Sequence, residues 1–189
     1  LGWYALFVET GKEDLVRTMI DKHFDKSIQV IVPKRKLQER KQGRIYEVYK
    51  TLFPGYLFVN TLMNVETYHD LKQIPRCYRL LNKYNHRDSY GGDWEDNRKN
   101  PHKTYLFSKI DDEEMALILQ LIGNEETIDY STLYVENAKV TVCDGPLKGK
   151  EGIIKKVDKR KKRARILLEF MGNEKELDVG IKLLKVYET

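Results

Sequence analysis

Phe53-Pro54-Gly55-Tyr56-Leu57-Phe58-Val59 opens on a Pro-Gly turn and runs into an alternating apolar strand. Alternation sets Tyr56 and Phe58 on one face of a sheet and Leu57 and Val59 on the other. Either one pair meets the core and the other is left for a partner, or both faces are packed. On the N-terminal side, residues 3–8 read as a strand, and Thr10 with Glu13 three positions later has the form of a capping box. The helix that follows carries Leu15, Val16, Met19 and Ile20 at helical spacing, with Phe24 near its end. Residues 28–32 and 45–52 read as two further strands, and the basic stretch 34–44 between them as a hairpin-like loop.

On the C-terminal side, Asn64 caps a helix bearing Val65, Tyr68, Leu71 and Ile74, closed by Pro75, and 77–81 returns as a strand. Asp111 with Glu114 opens a third helix at 112–122, which Gly123 ends. The acidic residues of its first turn also offset the helix dipole. The order β, α, β, β, β, α, β, α matches a split βαβ unit, an antiparallel sheet with helices on one face. This places a first domain at 1–123, with an exposed polar insertion at about 84–105, and a linker at 124–136. From 137 to 189 the pattern changes to five short strands at 140–142, 152–157, 163–170, 175–179 and 183–187, joined by Asp144-Gly145-Pro146 and Gly172-Asn173 turns. Five short strands in so few residues imply a small barrel, because closing the sheet removes its exposed edges. The fold class expected is α+β.

The chain of 189 residues holds 34 Lys and Arg against 29 Asp and Glu. Residues 137–189 contribute 14 basic and 8 acidic residues, a balance of +6, and residues 1–136 contribute 20 and 21. The basic excess therefore belongs to the second domain and suits a polyanionic partner. No apolar run approaches the roughly 20 residues of a membrane span, and the first eight residues lack the character of a signal peptide, so a cytoplasmic location is expected. Cys77 and Cys143 stand in different domains, and His23, His69, His86 and His102 are scattered, so neither a metal nor a cofactor is assigned. Nucleotide-binding glycine motifs, a nucleophile elbow and zinc-protease spacing are all missing, and an enzyme is not expected.

Two clusters are candidates for nucleic-acid binding. Lys155, Lys156, Lys159, Arg160, Lys161, Lys162, Arg163 and Arg165 fall within eleven residues, opposed only by Asp158, and straddle the turn between two barrel strands. A solvated lysine-rich turn would share this composition, but charges packed so densely repel unless phosphate gathers them. Lys148 and Lys150 extend the same patch. The second cluster is Lys34, Arg35, Lys36, Arg40, Lys41 and Arg44, for which a solvated loop and a nucleic-acid surface are equal readings.

Trp3-Tyr4-Ala5, the 53–59 stretch, and Val140 and Val142 followed by Gly145-Pro146-Leu147-Lys148-Gly149-Lys150-Glu151-Gly152-Ile153-Ile154 together resemble the NusG family of transcription elongation factors. The resemblance covers both domains. It implies an N-terminal NGN domain that docks on RNA polymerase and a C-terminal KOW barrel that recruits other factors or nucleic acid. By position, Tyr56 and Phe58 are similar to the aromatic pair that contacts the polymerase clamp. Glu66, Thr67 and Tyr68 fall where the specialised member RfaH turns a polar triplet to the opposing polymerase lobe, although the triplet differs here. RfaH can refold its KOW domain into helices, whereas the β-rich 153–157 and 165–170 favour a barrel. The insertion and the basic barrel resemble LoaP, a subgroup of processive antiterminators understood to bind a hairpin in nascent leader RNA. The resemblance thus implies a monomeric antitermination factor with RNA polymerase, nascent RNA and other transcription factors as partners. The alternatives are a general NusG-type elongation factor whose KOW domain recruits proteins, and a nonspecific RNA-binding KOW protein.

Overall fold

The computed structural model describes residues 1–82 and 107–184. The insertion expected at 84–105, with His86 and His102, and the end of the chain from 185 lie outside the described residues. The chain divides into two units, one of Leu1–Ile31 with Gly55–Asp111 and one of Val32–Pro54 with Asp112–Thr189.

In the first unit, β1 (Gly2–Val8), β2 (Gln29–Ile31), β5 (Tyr56–Thr61) and β6 (Cys77–Leu80) form an antiparallel sheet in the order β2-β5-β1-β6. Helices α1 (Glu13–His23) and α2 (Val65–Gln73) complete the split βαβ plan read from the sequence. The capping box does not form. The N-cap of α1 is Lys12 without a side-chain bond, and Glu13 is buried, its Oε1 accepting from the Gly55 N–H at 2.7 Å. Only Val16 and Ile20 of the apolar stripe are fully buried; Leu15 is exposed. Asn64 caps α2 as read, its Oδ1 accepting from the Thr67 N–H at 2.7 Å.

The second unit holds the larger departures. The basic stretch read as a loop is strand β3 (Lys34–Lys41), paired along its length with β4 (Arg44–Thr51) and joined by a two-residue turn at Gln42 and Gly43. Charged residues concealed the strand, since only Leu37 within it is buried. Helix α3 (Asp112–Ile122) leads to β7 (Thr127–Ile128), which adds to β3 in parallel. Part of the expected linker is also strand: β8 (Ser131–Glu136) pairs with β9 (Lys139–Asp144) and with β12 (Asn173–Leu183). With β10 (Ile154–Asp158) and β11 (Arg163–Phe170) these strands make a curled five-stranded sheet in the order β10-β11-β12-β8-β9. The fifth strand thus comes from upstream of residue 137. The short strand read at 175–179 is the middle of the longer β12.

Among the contacts that join the β3–β4 hairpin and α3 to this sheet are two that involve its backbone directly. The Glu114 carboxylate, buried in the first turn of α3, accepts from the N–H groups of Met171 and Gly172, both at 3.0 Å. Those residues form the β11–β12 turn with φ of 52° and 74°, which aims both amides outward in one direction. Glu114 is therefore a tie between elements and not simply a partner of the helix dipole. The second contact is backbone against backbone: a Cβ added at Gly180 would lie 2.3 Å from the Lys36 carbonyl oxygen and 2.5 Å from the Tyr130 ring. Phe53, stacked on Phe170 at 4.8 Å, adds apolar packing.

Glu114→Ala is expected to destabilise the protein by about 2–3 kcal/mol, since charge-assisted bonds disappear and buried amides are left unsatisfied. Urea unfolding measures this, and an unchanged midpoint would contradict it. Gly180→Ala should separate β3 from β12 before it disturbs the rest of the sheet. Faster amide hydrogen exchange in β3 with unchanged exchange in β11 is the expected signature.

Candidate nucleic-acid interface

Strand β11 buries Ala164, Ile166, Leu168 and Phe170, and so turns Arg163 and Arg165 outward. Opposite, β10 carries a register shift between Ile154 and Lys156. The extra residue leaves Lys155 and Lys156 both exposed, where simple alternation would have buried one of them. Asp158 pairs with Arg163 and closes the turn, and its Oδ1 accepts from the Lys161 N–H at 2.9 Å. That backbone bond, helped by the charges of Lys161 and Lys156, holds the Asp158 carboxyl below its ordinary value. One carboxylate thus shapes a turn that displays Lys159, Arg160, Lys161 and Lys162.

Not every cation of the cluster is available to a ligand. Arg165 donates from Nε to Asp178 Oδ1 at 2.9 Å and lies 3.9 Å from Glu176, and the bond to Asp178 raises the guanidinium further. Arg163 Nη2 is 3.7 Å from Glu39 Oε1, and Lys50 takes the same oxygen. The bond from Lys50 holds the Glu39 carboxyl below its ordinary value. Lys155, Lys156, Lys159, Arg160, Lys161 and Lys162 make no ion pair among the described residues. Lys148 is exposed and Lys150 half-buried on the turn after β9.

The second sequence cluster divides. Lys34 is half-buried, and its backbone N–H donates to the Glu126 carbonyl at 2.9 Å. Arg35 donates from Nη1 to the Asp178 carbonyl at 2.7 Å, and burial lowers its guanidinium despite the charge of Asp178. Lys36 lies 3.3 Å from Glu47 and 3.4 Å from Asp129, above the Tyr130 ring at 5.1 Å. Partial burial works against its charge, yet the two carboxylates hold the ammonium above its ordinary value. These three attach β3 to its surroundings. Arg40, Lys41 and Arg44 instead stand exposed at the hairpin tip.

Folding brings that tip to the β10–β11 turn. Gln38, Glu39, Arg40 and Ile45 line one side of an open cleft of about 700 Å³, and Arg160, Lys161, Lys162 and Arg163 line the other. A smaller depression of about 150 Å³ brings Lys156 together with Lys161 and Arg163.

In the first unit the aromatic pair is split. Phe58 is wholly buried and offers no surface to a partner, because its side chain belongs to the core. Tyr56 is half-buried at the surface, 5.5 Å from Phe7, which lies 5.5 Å from the exposed Tyr78 and 5.5 Å from the Arg79 guanidinium. No local signal in the sequence singles out Phe7, Tyr78 and Arg79, since only the β5-β1-β6 pairing gathers them beside Tyr56. Of the triplet on α2, Glu66 is exposed and Thr67 half-buried, while Tyr68 is buried with its ring 5.4 Å from Phe107. Cys77 is buried, and burial pushes its thiol up to about 12. Among the described residues no group of three or more His, Cys, Asp or Glu is placed to hold a metal ion. Among the same residues no helix is long and apolar enough to cross a membrane.

A split βαβ module followed by a curled five-stranded module with a basic rim defines a two-module α+β protein. The family model described as transcription termination factor NusG matches residues 1–90, and the KOW motif matches 136–169. The chain belongs to the NusG family of transcription termination/antitermination factors. Transcription termination/antitermination protein NusG of Escherichia coli K12 is 25% identical, over 90% of this chain and 87% of that protein. The NusG proteins of Buchnera aphidicola and Streptococcus pyogenes serotype M1 are 24% and 26% identical, each over 95% of this chain and 93% of theirs. A solved structure described as "Domain interaction in Thermotoga maritima NusG" shares the fold, with a TM-score of 0.55 at 24% identity over 95% of this chain and 93% of that one.

The lowered carboxyls of Glu39 and Asp158 give an acid dependence with a definite sign. Their contribution is complete above the ordinary carboxylate values of 4.5 and 3.8 and is lost as pH falls through the lowered ones. Thermal midpoints should therefore fall on acidification below about pH 4.5, and Glu39→Gln with Asp158→Asn should flatten that fall. An acid limb identical in the double variant would assign the loss to other carboxyls.

Proposed function

We propose that this protein is a processive antitermination factor: it binds RNA polymerase through the NGN module and nascent leader RNA through the basic KOW module. The observation that carries this reading is the β10–β11 turn, where six cations without an ion pair among the described residues surround one structural carboxylate. Phosphate is the ligand chemistry that relieves such repulsion, and the shape of an RNA hairpin supplies selectivity that phosphate contacts alone do not. The polymerase contact is assigned to Tyr56, with Phe7 and Tyr78 beside it, and to Glu66 and Thr67 at the start of α2. Tethering the two modules makes capture of one partner raise the effective concentration of the other.

The protein acts by binding and not by turnover. A factor that holds the elongating state of the polymerase more tightly than the paused state shifts that equilibrium by its differential affinity. The protein is further proposed to be a cytoplasmic monomer of the LoaP-like subgroup. A general NusG-type factor whose KOW module recruits proteins is the second reading, favoured by the names of the relatives at about 25% identity.

Tyr56→Ala should reduce readthrough of a terminator in a purified transcription reaction while leaving binding to a leader RNA hairpin intact. Phe58→Ala is not an equivalent probe, since emptying a core site of this size costs about 3–5 kcal/mol. Equal readthrough on templates with and without the leader hairpin would favour the general factor.

A further inference from the structure

We propose that the tip of the β3–β4 hairpin is the second wall of the RNA site, so that one phosphate backbone is gripped between Arg40, which lines the cleft with Ile45, and the β10–β11 turn, with Lys41 and Arg44 next to Arg40 on the hairpin turn adding to the positive field. This inference rests on the RNA-binding reading given above and extends it to residues far away in sequence. The two clusters lie over a hundred positions apart in the chain, yet Arg40 and Ile45 face Arg160, Lys161, Lys162 and Arg163 across the open cleft. Arg40, Lys41 and Arg44 are exposed and make no ion pair among the described residues, so their charge is not consumed within the fold. The carboxylate of the cleft, Glu39, is held by Lys50 and Arg163 and leaves the cationic character of the walls in place.

The hairpin tip differs from a simple basic loop in a second respect. Ile45 is 61% exposed and Tyr46 46% exposed, directly beside these cations. Cation next to exposed ring and aliphatic surface suits a chain of phosphates that also presents sugars and bases, since bases stack on such surfaces. An acidic peptide would use the charges and leave the ring without a partner. The cross-strand pairing of Lys41 with Arg44 and of Glu39 with Tyr46 fixes these groups on a two-residue turn, so the wall is preorganised.

The test uses the full chain and a fluorescent RNA hairpin with a stem of about ten base pairs, titrated over a range of salt. One variant carries Arg40→Ala, Lys41→Ala and Arg44→Ala, a second carries Arg160→Ala, Lys161→Ala and Lys162→Ala, and a third combines both sets. A control of equal charge change carries Lys12→Ala, Lys22→Ala and Lys139→Ala, all exposed and none lining the cleft. The hairpin-tip variant should bind about tenfold more weakly than the control, with the log-log salt slope reduced by about 0.7–0.9 for each phosphate no longer neutralised. The combined variant should weaken binding by less than the product of the separate effects, because removing either wall already releases the grip. Glu39→Gln should tighten binding, and ultraviolet crosslinking should attach the RNA within the hairpin-tip segment 38–46.

If the hairpin-tip variant matches the control while the turn variant weakens, the two-walled site is wrong and the RNA-binding reading survives. If neither variant differs from the control, both fail. Poly-L-glutamate displacing the RNA at equal charge concentration would overturn the proposal in favour of an acidic protein. Circular dichroism and urea unfolding of the tip variant must match the unsubstituted chain, and a loss of fold would transfer the decision to the Glu39→Gln and crosslinking results.

Discussion

The buried carboxylate of Glu114 is the constraint on which the second unit depends. A two-residue turn with both φ values positive directs consecutive amide groups away from the sheet, and buried amides require acceptors. One carboxylate with two oxygens meets both Met171 and Gly172 and in doing so fixes where α3 begins relative to β11 and β12. Arg35, donating to the Asp178 carbonyl, does the same for β3. The bare backbone at Gly180 lets β3 approach closely enough for that bond to form. The hairpin tip is carried to the cleft by these attachments at its base.

Charge in this unit is sorted by depth. Cations near the attachment points, Arg35, Lys36 and Arg163, each have a carboxylate or carbonyl close by, because a partly buried charge without a partner is costly, and the exposed Arg165 is held by Asp178. Cations at the hairpin tip and on the β10–β11 turn are solvated, and water and salt screen their mutual repulsion only in part. Such a surface is stable alone and gains most when a polyanion replaces its counterions. Binding and folding therefore draw on different members of the same clusters.

The aromatic stretch at 53–59 serves three purposes over seven residues. Phe53 stacks on Phe170 within the second unit, Phe58 fills the core of the first, and Tyr56 reaches its surface beside Phe7. Gly55 begins the first unit's share of the stretch, and its N–H is held by Glu13. A strand with a single alternation pattern would not accommodate these roles without that break.

Periodicity and turn chemistry alone determined much of this protein. The split βαβ order, the three helices, the β-rich C-terminal module and the concentration of basic residues at 155–165 were all legible from local signals, because burial periodicity and capping act over a few residues. The strand β3 was not legible, since its stability comes from pairing with β4 and β7 and not from its own apolar content. Nor was β8, a strand within a polar stretch that gains partners only when β12 and β9 flank it. The burial of Phe58 and the meeting of Arg40 with Lys161 are matters of long-range packing, decided when segments distant in sequence share one sheet face or one cleft. Alternation assigns a side chain to a face, but only the tertiary structure decides which face is covered and which clusters become neighbours.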